Sequence, residues 1–207
     1  KFKFKFKFKF KFKFKFKFKF EFKFKFKFEF EFEFEFEFEF NNGQQRMDNK
    51  TTDLREIEPG IVQLTMQDRV NKNTFSEELI HGLLESFEAI QAHPEYKVVI
   101  LTGYDTYFCS GGTQADLLAI HEGRSMFTDL TNVYSLPLEC KIPVISAMQG
   151  HGIGGGFAFG LFSDVVILSR ESIYTANFMK YGFTPGMGAT YILSEKLGIS
   201  LAEELLM

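Results

Sequence analysis

The first forty residues alternate strictly between one apolar residue type and charged residues. Phenylalanine occupies every even position from Phe2 to Phe40, and lysine or glutamate occupies every odd position. A period of two places all the phenylalanines on one face of an extended chain and all the charges on the other, so the pattern predicts β-structure. A single strand of this length would be about 130 Å long, far beyond the usual roughly 3–10 residues. Residues 1–40 are therefore interpreted as a low-complexity, β-prone segment.

The two charge types are sorted along this repeat. Lysine dominates the odd positions up to Lys27, and glutamate fills all the odd positions from Glu29 to Glu39. Because opposite charges stabilise an antiparallel pair, the lysine-rich part is expected to pair with the glutamate-rich part. An apolar face with unpaired edges also predicts sheet-mediated self-association between chains. The sequence leaves two origins open, an engineered assembly tag and a translated hexanucleotide repeat.

The rest of the chain has a different composition. It comprises 167 residues with 11 basic and 20 acidic side chains, a net charge of −9, and is long enough for one domain with a core. Residues 41–50 are mostly polar and are interpreted as a linker, which leaves residues 51–207 as the folded domain. The negative charge argues against nucleic-acid binding. Cys109 and Cys140 show neither metal-ligand spacing nor a disulfide framework, which favours a cytoplasmic setting.

Short strands and helices alternate within residues 51–207. A turn at Pro59–Gly60 separates two predicted strands, and Ser76 is predicted to cap a helix that ends near His93. A second helical stretch is predicted near residues 114–121. Three apolar segments are interpreted as buried parallel strands: KVVILTG, PVISAMQG and DVVILS. This order predicts an α/β fold with crossover connections.

Two glycine-rich loops follow predicted strands. The first is FCSGGT at residues 108–113, and the second is GHGIGGG at residues 150–156. Glycines allow a close backbone approach and leave N–H groups that stabilise a phosphate or a developing oxyanion. Neither loop has the spacing of a P-loop or of a dinucleotide-binding loop. Each loop alone is equally compatible with tight strand–helix packing.

Taken together, four segments resemble the crotonase, or enoyl-CoA hydratase/isomerase, superfamily over about residues 54–207. They are NKNTFS, VVILTG with CSGGT, KIPVISAMQGHGIGGGFAFGLFSDVVI, and FTPGMGAT. The resemblance implies a crotonase-like superhelix, a spiral of ββα units. It also implies an oxyanion hole formed by two backbone N–H groups, at the positions matching Gly112 and Gly155. No cofactor is implied, because the substrate is a coenzyme A or phosphopantetheine thioester.

The chain departs from hydratases of that family at three positions. The two glutamates that activate water are matched here by Ala158 and Phe178, and a common aspartate after the first loop is matched by Thr113. Without both carboxylates, the usual acid–base addition of water is not available. The sequence therefore argues against hydratase activity.

The segments MQGHGIGGG and YTANFMKYGFTPGMGAT are most similar to crotonase-like decarboxylases of polyketide β-branching. That resemblance implies a 3-methylglutaconyl group on an acyl carrier protein as substrate. Loss of CO2 from such a group needs an electron sink, which an oxyanion hole provides, and a proton donor. An enoyl-thioester isomerase and a non-catalytic assembly protein remain as alternatives.

The remaining candidate residues lie in or beside the matched motifs. His151 is the catalytic candidate, whereas Lys180 is interpreted as a solvated charge, and no metal ligands are expected. The resemblance also implies a homotrimer for the full-length protein and predicts that this chain, which ends inside an apparent helix, is a C-terminally truncated fragment. The candidate substrate-binding residues are Phe108, Ser110, Gly111, Asn177 and Tyr181.

Overall fold

The structure is a computed structural model that describes residues 10–14, 32–36, 47–48, 51–124, 126 and 132–207. The chain forms two compact units, Lys1–Gly43 and Gln44–Met207.

The first unit contains one antiparallel pair of strands. Strand β1 (Phe10–Phe14) pairs with β2 (Phe32–Phe36), and the register sets Lys11 opposite Glu35 and Lys13 opposite Glu33. The predicted pairing of the lysine-rich with the glutamate-rich part is confirmed for these ten residues. The rest of the repeat lies outside the described residues.

The second unit begins with an antiparallel sheet. Strand β3 (Met47–Asp48) pairs with β4 (Thr52–Glu58), which pairs with β5 (Ile61–Met66) across the predicted turn. Gly60 supplies the left-handed conformation of that turn, with φ of 82°. Strand β3 lies within the segment interpreted as a linker, so part of that segment extends the sheet.

The predicted capped helix is confirmed as α1 (Glu77–Ala92). The Ser76 hydroxyl oxygen accepts the Leu79 N–H at 3.2 Å, and Glu77 and Glu78 lie in the first turn, where acidic side chains are favourable. One face of the helix packs into the core and is almost completely buried. Its members are Leu79, Leu83, Phe87 and Ile90. Burying each such side chain contributes about 1.5–3 kcal/mol.

The remaining elements repeat one pattern, strand, strand, helix. They are β6 (Val98–Thr102), β7 (Tyr107–Cys109), α2 (Gln114–His121), α3 (Leu136–Glu139), β8 (Val144–Met148), β9 (His151–Ile153), α4 (Gly155–Leu161), β10 (Val165–Leu168), β11 (Tyr174–Thr175), α5 (Ala189–Leu197) and α6 (Ile199–Leu206). Two 3-10 turns, Val133–Ser135 and Met179–Tyr181, connect some of them.

Successive turns of the chain contribute to the same two sheets. The larger sheet has the order β10-β8-β6-β5-β4-β3, and the smaller has the order β11-β9-β7. The first strand of each ββα unit (β6, β8, β10) joins the larger sheet, and the second (β7, β9, β11) joins the smaller one in parallel. This arrangement confirms the predicted α/β spiral of ββα units.

One expectation about burial is wrong. The segment DVVILS was expected to form a buried strand, but β10 is the outermost strand of its sheet, and Val165, Ile167 and Leu168 are exposed. Its apolar composition suggested burial, whereas only Val166 of this edge strand packs against the core. Among the described residues, no helix is both long and apolar enough to span a membrane.

Candidate active site

The two glycine-rich loops lie in direct contact. A Cβ atom added to Gly111 would lie 2.6 Å from the Ile153 carbonyl oxygen and 3.5 Å from the Gly155 nitrogen. A Cβ added to Gly156 would lie 2.3 Å from the Cys109 carbonyl oxygen. Side chains at either glycine would separate the loops, so glycine is required here for close approach rather than for flexibility.

The backbone N–H of Gly155 points out of the first turn of α4. The carbonyl oxygen of Gly154 accepts the Ala158 N–H at 3.2 Å, which directs that carbonyl along the helix. In a trans peptide the following N–H points the opposite way. The first N–H groups of a helix have no acceptor within the helix, so the Gly155 N–H is free to bind a ligand oxygen.

Both predicted donors line one small cavity of about 30 Å³. Gly112 lies at its exposed edge and Gly155 at its buried wall. Apart from one carboxylate, the surrounding side chains are apolar. The full lining is Phe75, Gly112, Asp116, Leu117, Ile120, Gly155, Phe178 and Met187. The structure thus brings Gly112 and Gly155 together as the resemblance implied.

The two positions that carry glutamates in hydratases are apolar and buried. Phe178 is 7% exposed and lines the cavity, and Ala158 is completely buried in α4. Neither residue can hold or activate a water molecule, because neither has a polar side-chain atom. The cavity therefore lacks the acid–base pair of water addition at these two positions.

Asp116 is a lining residue that the sequence analysis missed. It lies in the first turn of α2, where the Thr113 hydroxyl donates to its carboxylate and its own N–H donates to Thr113 Oγ1 at 3.1 Å. The spacing Thr-x-x-Asp is the signature of a helix start and was available in the sequence. The same helix also presents Leu117 and Ile120 to the cavity.

Phe75 and Met187 lie in two of the matched segments, NKNTFS and FTPGMGAT, but neither residue was assigned a role, because nothing in those segments shows that they reach the cavity. A Cβ on Gly155 would lie 2.9 Å from Met187 Cγ, so this side chain packs directly on the second donor. Met187 has φ of 55°, an uncommon conformation for a residue with a side chain. Only the folded chain brings these residues to the cavity.

His151 does not line the cavity. Its Nδ1 accepts the Ile173 N–H at 3.0 Å, and its ring lies edge-on to Tyr107 with centroids 6.2 Å apart. This hydrogen bond requires Nδ1 to be unprotonated. The histidine therefore connects β9 to the segment before β11, and its catalytic role stays a prediction.

None of the predicted substrate-binding residues is among those that line the cavity. Phe108 is completely buried in the core, and the Ser110 hydroxyl donates to the Lys72 carbonyl at 2.7 Å. Asn177 Oδ1 lies 3.4 Å from the Cβ position of Gly154, beside the second loop. Tyr181 is 62% exposed. Their role in substrate binding, like that of Gly111, stays a prediction.

Neither cysteine is a nucleophile candidate. Burial raises the pKa of the Cys109 thiol to about 12, and the thiol donates to the Asn73 carbonyl. Burial also raises the pKa of Cys140. Both cysteines are unpaired. Within the described ranges, no group of three or more His, Cys, Asp or Glu side chains could hold a metal ion.

Comparison with known proteins gives a consistent set of relatives. Residues 56–207 match the enoyl-CoA hydratase/isomerase family. The bacillaene synthase decarboxylase PksI of Bacillus subtilis (strain 168) is 64% identical over 161 residues, which cover 78% of this chain and 64% of PksI. A probable enoyl-CoA hydratase of Rhodobacter capsulatus is 29% identical over 151 residues, which cover 71% of this chain and 57% of that protein.

Two solved structures are similar in fold and sequence. One belongs to a dehydratase/decarboxylase enzyme couple involved in polyketide β-branching, with a TM-score of 0.73 and 65% identity, and covers 75% of this chain and 63% of that one. The other is the ECH2 decarboxylase domain of CurF from Lyngbya majuscula, with a TM-score of 0.72 and 44% identity. This match covers 76% of this chain and 64% of the CurF domain. The chain thus spans less than two thirds of the length of these relatives.

Proposed function

We propose that this chain, which belongs to the enoyl-CoA hydratase/isomerase family, is part of a decarboxylase that acts on an acyl thioester in polyketide biosynthesis. The proposed substrate is a 3-methylglutaconyl group on an acyl carrier protein. Identity of 64–65% to PksI and to the decarboxylase couple of polyketide β-branching supports this reaction over the others in the family. The lower identity of 29% to a probable hydratase supports it as well.

One observation carries the proposal. The cavity combines two backbone donors, Gly112 and Gly155, with apolar residues at both hydratase glutamate positions. Such a site stabilises an enolate and provides no carboxylate pair to add water. Decarboxylation of a conjugated thioester needs an electron sink, which the two donors would provide, and does not need the carboxylate pair.

The proposed step balances without a cofactor. The bond between the carboxylate carbon and its neighbour breaks, CO2 leaves, and the electron pair moves through the conjugated system to the thioester oxygen. The Gly112 and Gly155 N–H groups donate to that oxygen as its charge develops. A proton from solvent or from a side chain then adds to carbon and gives the 3-methylcrotonyl thioester. Each donor contributes about 2.7–4 kcal/mol to the transition state.

The apolar lining also favours this reaction. The substrate carboxylate loses hydration when it enters a cavity lined by side chains such as Phe178 and Leu117, and this loss raises its free energy. The product CO2 is neutral and does not carry this cost. The charge that remains moves to the thioester oxygen, where the donors lie. Interactions that are stronger in the transition state than in the ground state are those that raise the rate.

Mass spectrometry of the loaded carrier protein tests the function. Incubation of 3-methylglutaconyl carrier protein with this chain should remove the mass of one CO2. An enoyl-thioester isomerase, the alternative activity, would move the double bond and leave the mass unchanged. An unchanged mass on a correctly loaded carrier, with a full-length relative active beside it, would refute decarboxylation by this chain.

The same proposal includes the setting of the protein. An acyl carrier protein or an acyl-CoA presents the thioester, and a homo-oligomer forms when the protein is full length. A cytoplasmic location fits the two unpaired cysteines. Analytical ultracentrifugation with and without the carrier protein measures both associations.

A second role, self-association through residues 1–40, is supported by the register of β1 and β2. Lys11 and Lys13 face Glu35 and Glu33, and the same opposite charges can pair between chains. A two-stranded sheet by itself is marginally stable in water, which favours the addition of further strands. Removing residues 1–40 should abolish light scattering by concentrated protein. Unchanged scattering after the deletion would exclude this role.

A further inference from the structure

The orientation of the first donor is controlled from a segment outside both glycine-rich loops. The Gly111 carbonyl accepts the Phe75 N–H at 2.8 Å, and Thr74 forms a parallel bridge with Gly111. None of the described peptide bonds is cis. In a trans peptide the N–H points away from the carbonyl of the same unit, so the contact with Phe75 sets the direction of the Gly112 N–H.

The backbone that presents Phe75 has an unusual conformation. Lys72 and Asn73 both lie in the left-handed region, with φ of 54° and 53°. Each such residue costs about 1–2 kcal/mol unless it is glycine, with asparagine among the more tolerant types. This conformation persists only where surrounding contacts hold it.

The side chain of Asn73 provides those contacts. It is completely buried, and its Nδ2 donates to the carbonyls of Met66 at 3.0 Å and Phe108 at 2.9 Å. Its Oδ1 accepts the Asp68 N–H at 2.8 Å. The amide thus connects the end of β5, the small-sheet strand β7 and the turn at Asp68.

The backbone of Asn73 contacts the first loop directly. Its carbonyl oxygen accepts the Ser110 N–H at 3.2 Å and the Cys109 thiol at 3.0 Å. The Lys72 carbonyl accepts the Ser110 hydroxyl at 2.7 Å. Two residues later, Phe75 binds Gly111 and lines the same cavity as Gly112.

We propose that Asn73 is a positioning residue for the oxyanion hole. Its side chain fixes the segment that ends at Phe75, the Phe75 N–H holds the Gly111 carbonyl, and the Gly112 N–H is thereby directed into the cavity. Asn73 touches no substrate and acts through the Gly111–Gly112 peptide. This inference rests on the oxyanion role proposed above for Gly112.

The carbonyl stretch of a bound thioester reports donor geometry without requiring turnover. The probe is crotonyl-CoA with ¹³C at the thioester carbonyl, measured by isotope-edited infrared spectroscopy when bound to the full chain. Donation to this oxygen lowers the stretching frequency. Asn73→Ala removes the amide, and Asn73→Gly removes it while accepting the left-handed backbone without strain. If Asn73→Ala does not fold, Asn73→Gly decides the question.

Ser86→Ala is the matched control. Ser86 is also buried and its hydroxyl donates to the Gly82 carbonyl within α1, so its loss affects stability without touching the loops. We expect wild type and Ser86→Ala to show the full carbonyl shift and the Asn73 variants to lose part of it. In the Asn73 variants, kcat for decarboxylation should fall by about 10- to 100-fold, and KM should change little. This decrease is smaller than the 100- to 1000-fold typical of deleting a donor, because the donor is displaced and not removed.

The outcomes separate this inference from the proposed function. A full carbonyl shift in a folded Asn73→Gly protein that binds the probe overturns the positioning role and leaves the oxyanion hole intact. The absence of any shift in bound wild type overturns the oxyanion role itself. If Ser86→Ala loses as much of the carbonyl shift as the Asn73 variants do, the loss follows from lower stability in general. That result also overturns the positioning role.

Discussion

Replacing Gly156 by alanine tests whether the contact between the two glycine-rich loops controls turnover. The added Cβ would lie 2.3 Å from the Cys109 carbonyl oxygen, whereas ordinary contacts begin near 3.4 Å. The obstacle is backbone and cannot rotate away, so the loops must separate by about 1 Å. Gly155 is the preceding residue, and its N–H moves with the helix.

The size of the effect follows from that displacement. A misplacement of about 1 Å typically costs about 100-fold in rate, which corresponds to about 2.7 kcal/mol of activation free energy. Overpacking also lowers the free energy of unfolding by about 1–3 kcal/mol. We therefore expect kcat to fall about 100-fold in a protein that still folds.

The assay is CO2 release from the loaded carrier protein under single-turnover conditions, with thermal unfolding measured in parallel. Gly160→Ala is the comparison variant, since it lies in the same helix and its Cβ would meet side-chain atoms, Met148 Sδ at 2.6 Å and Phe108 Cε1 at 2.9 Å, instead of the backbone between the loops. It should lose stability and keep its rate. Wild-type turnover by folded Gly156→Ala would refute the reasoning, and an equal rate loss in Gly160→Ala would attribute the effect to stability.

Three further changes test separate features. Gly155→Pro deletes the second donor N–H and should lower kcat by about 100- to 1000-fold, as measured by single-turnover CO2 release; a retained rate would contradict the assignment. Because burial raises the pKa of Cys109 from 9.0 to about 12, the stability that the neutral buried thiol contributes is present below pH 9 and is lost as the pH rises toward 12. The free energy of unfolding, measured with urea, should fall more steeply between pH 9.0 and about 12 in wild type than in Cys109→Ala. If the two proteins lose stability in parallel over this range, the contribution of Cys109 is excluded. Lys196→Met removes hydrogen bonds from Nζ to the Ser163 carbonyl at 2.8 Å and the Asp164 carbonyl at 3.2 Å, so stability should fall by about 0.5–1.5 kcal/mol; an unchanged melting temperature would show that solvent replaces both.

Local patterns predicted the elements that depend on local chemistry. Ser76 begins α1 as expected, because a side-chain cap and an apolar stripe are encoded within a few residues. The glycine loops were recognisable for a similar reason, since their spacing lies in two short segments. Gly112 and Gly155 meet in one cavity only because consecutive turns of the spiral lie side by side.

Other features depend on tertiary position, which local patterns do not contain. The apolar composition of β10 does not reveal that it is an edge strand. His151 lies within the second glycine-rich loop in sequence, yet its side chain accepts the Ile173 N–H and does not line the cavity. Asn73 carried no predicted role, because its partners Met66 and Phe108 come from two different strands.

The pairing of β7 with β9 has a consequence for how reactions can diversify on this scaffold. These neighbouring parallel strands end just before the two donors, with Cys109 paired to Gly152. Adjacent strands lie about 4.8 Å apart, a separation at which two N–H groups beyond the strand ends can converge on one oxygen. Backbone pairing thus contributes to the width of the proposed oxyanion hole. Side chains such as Phe178 and Ala158 can change, and the reaction with them, while that width stays constant.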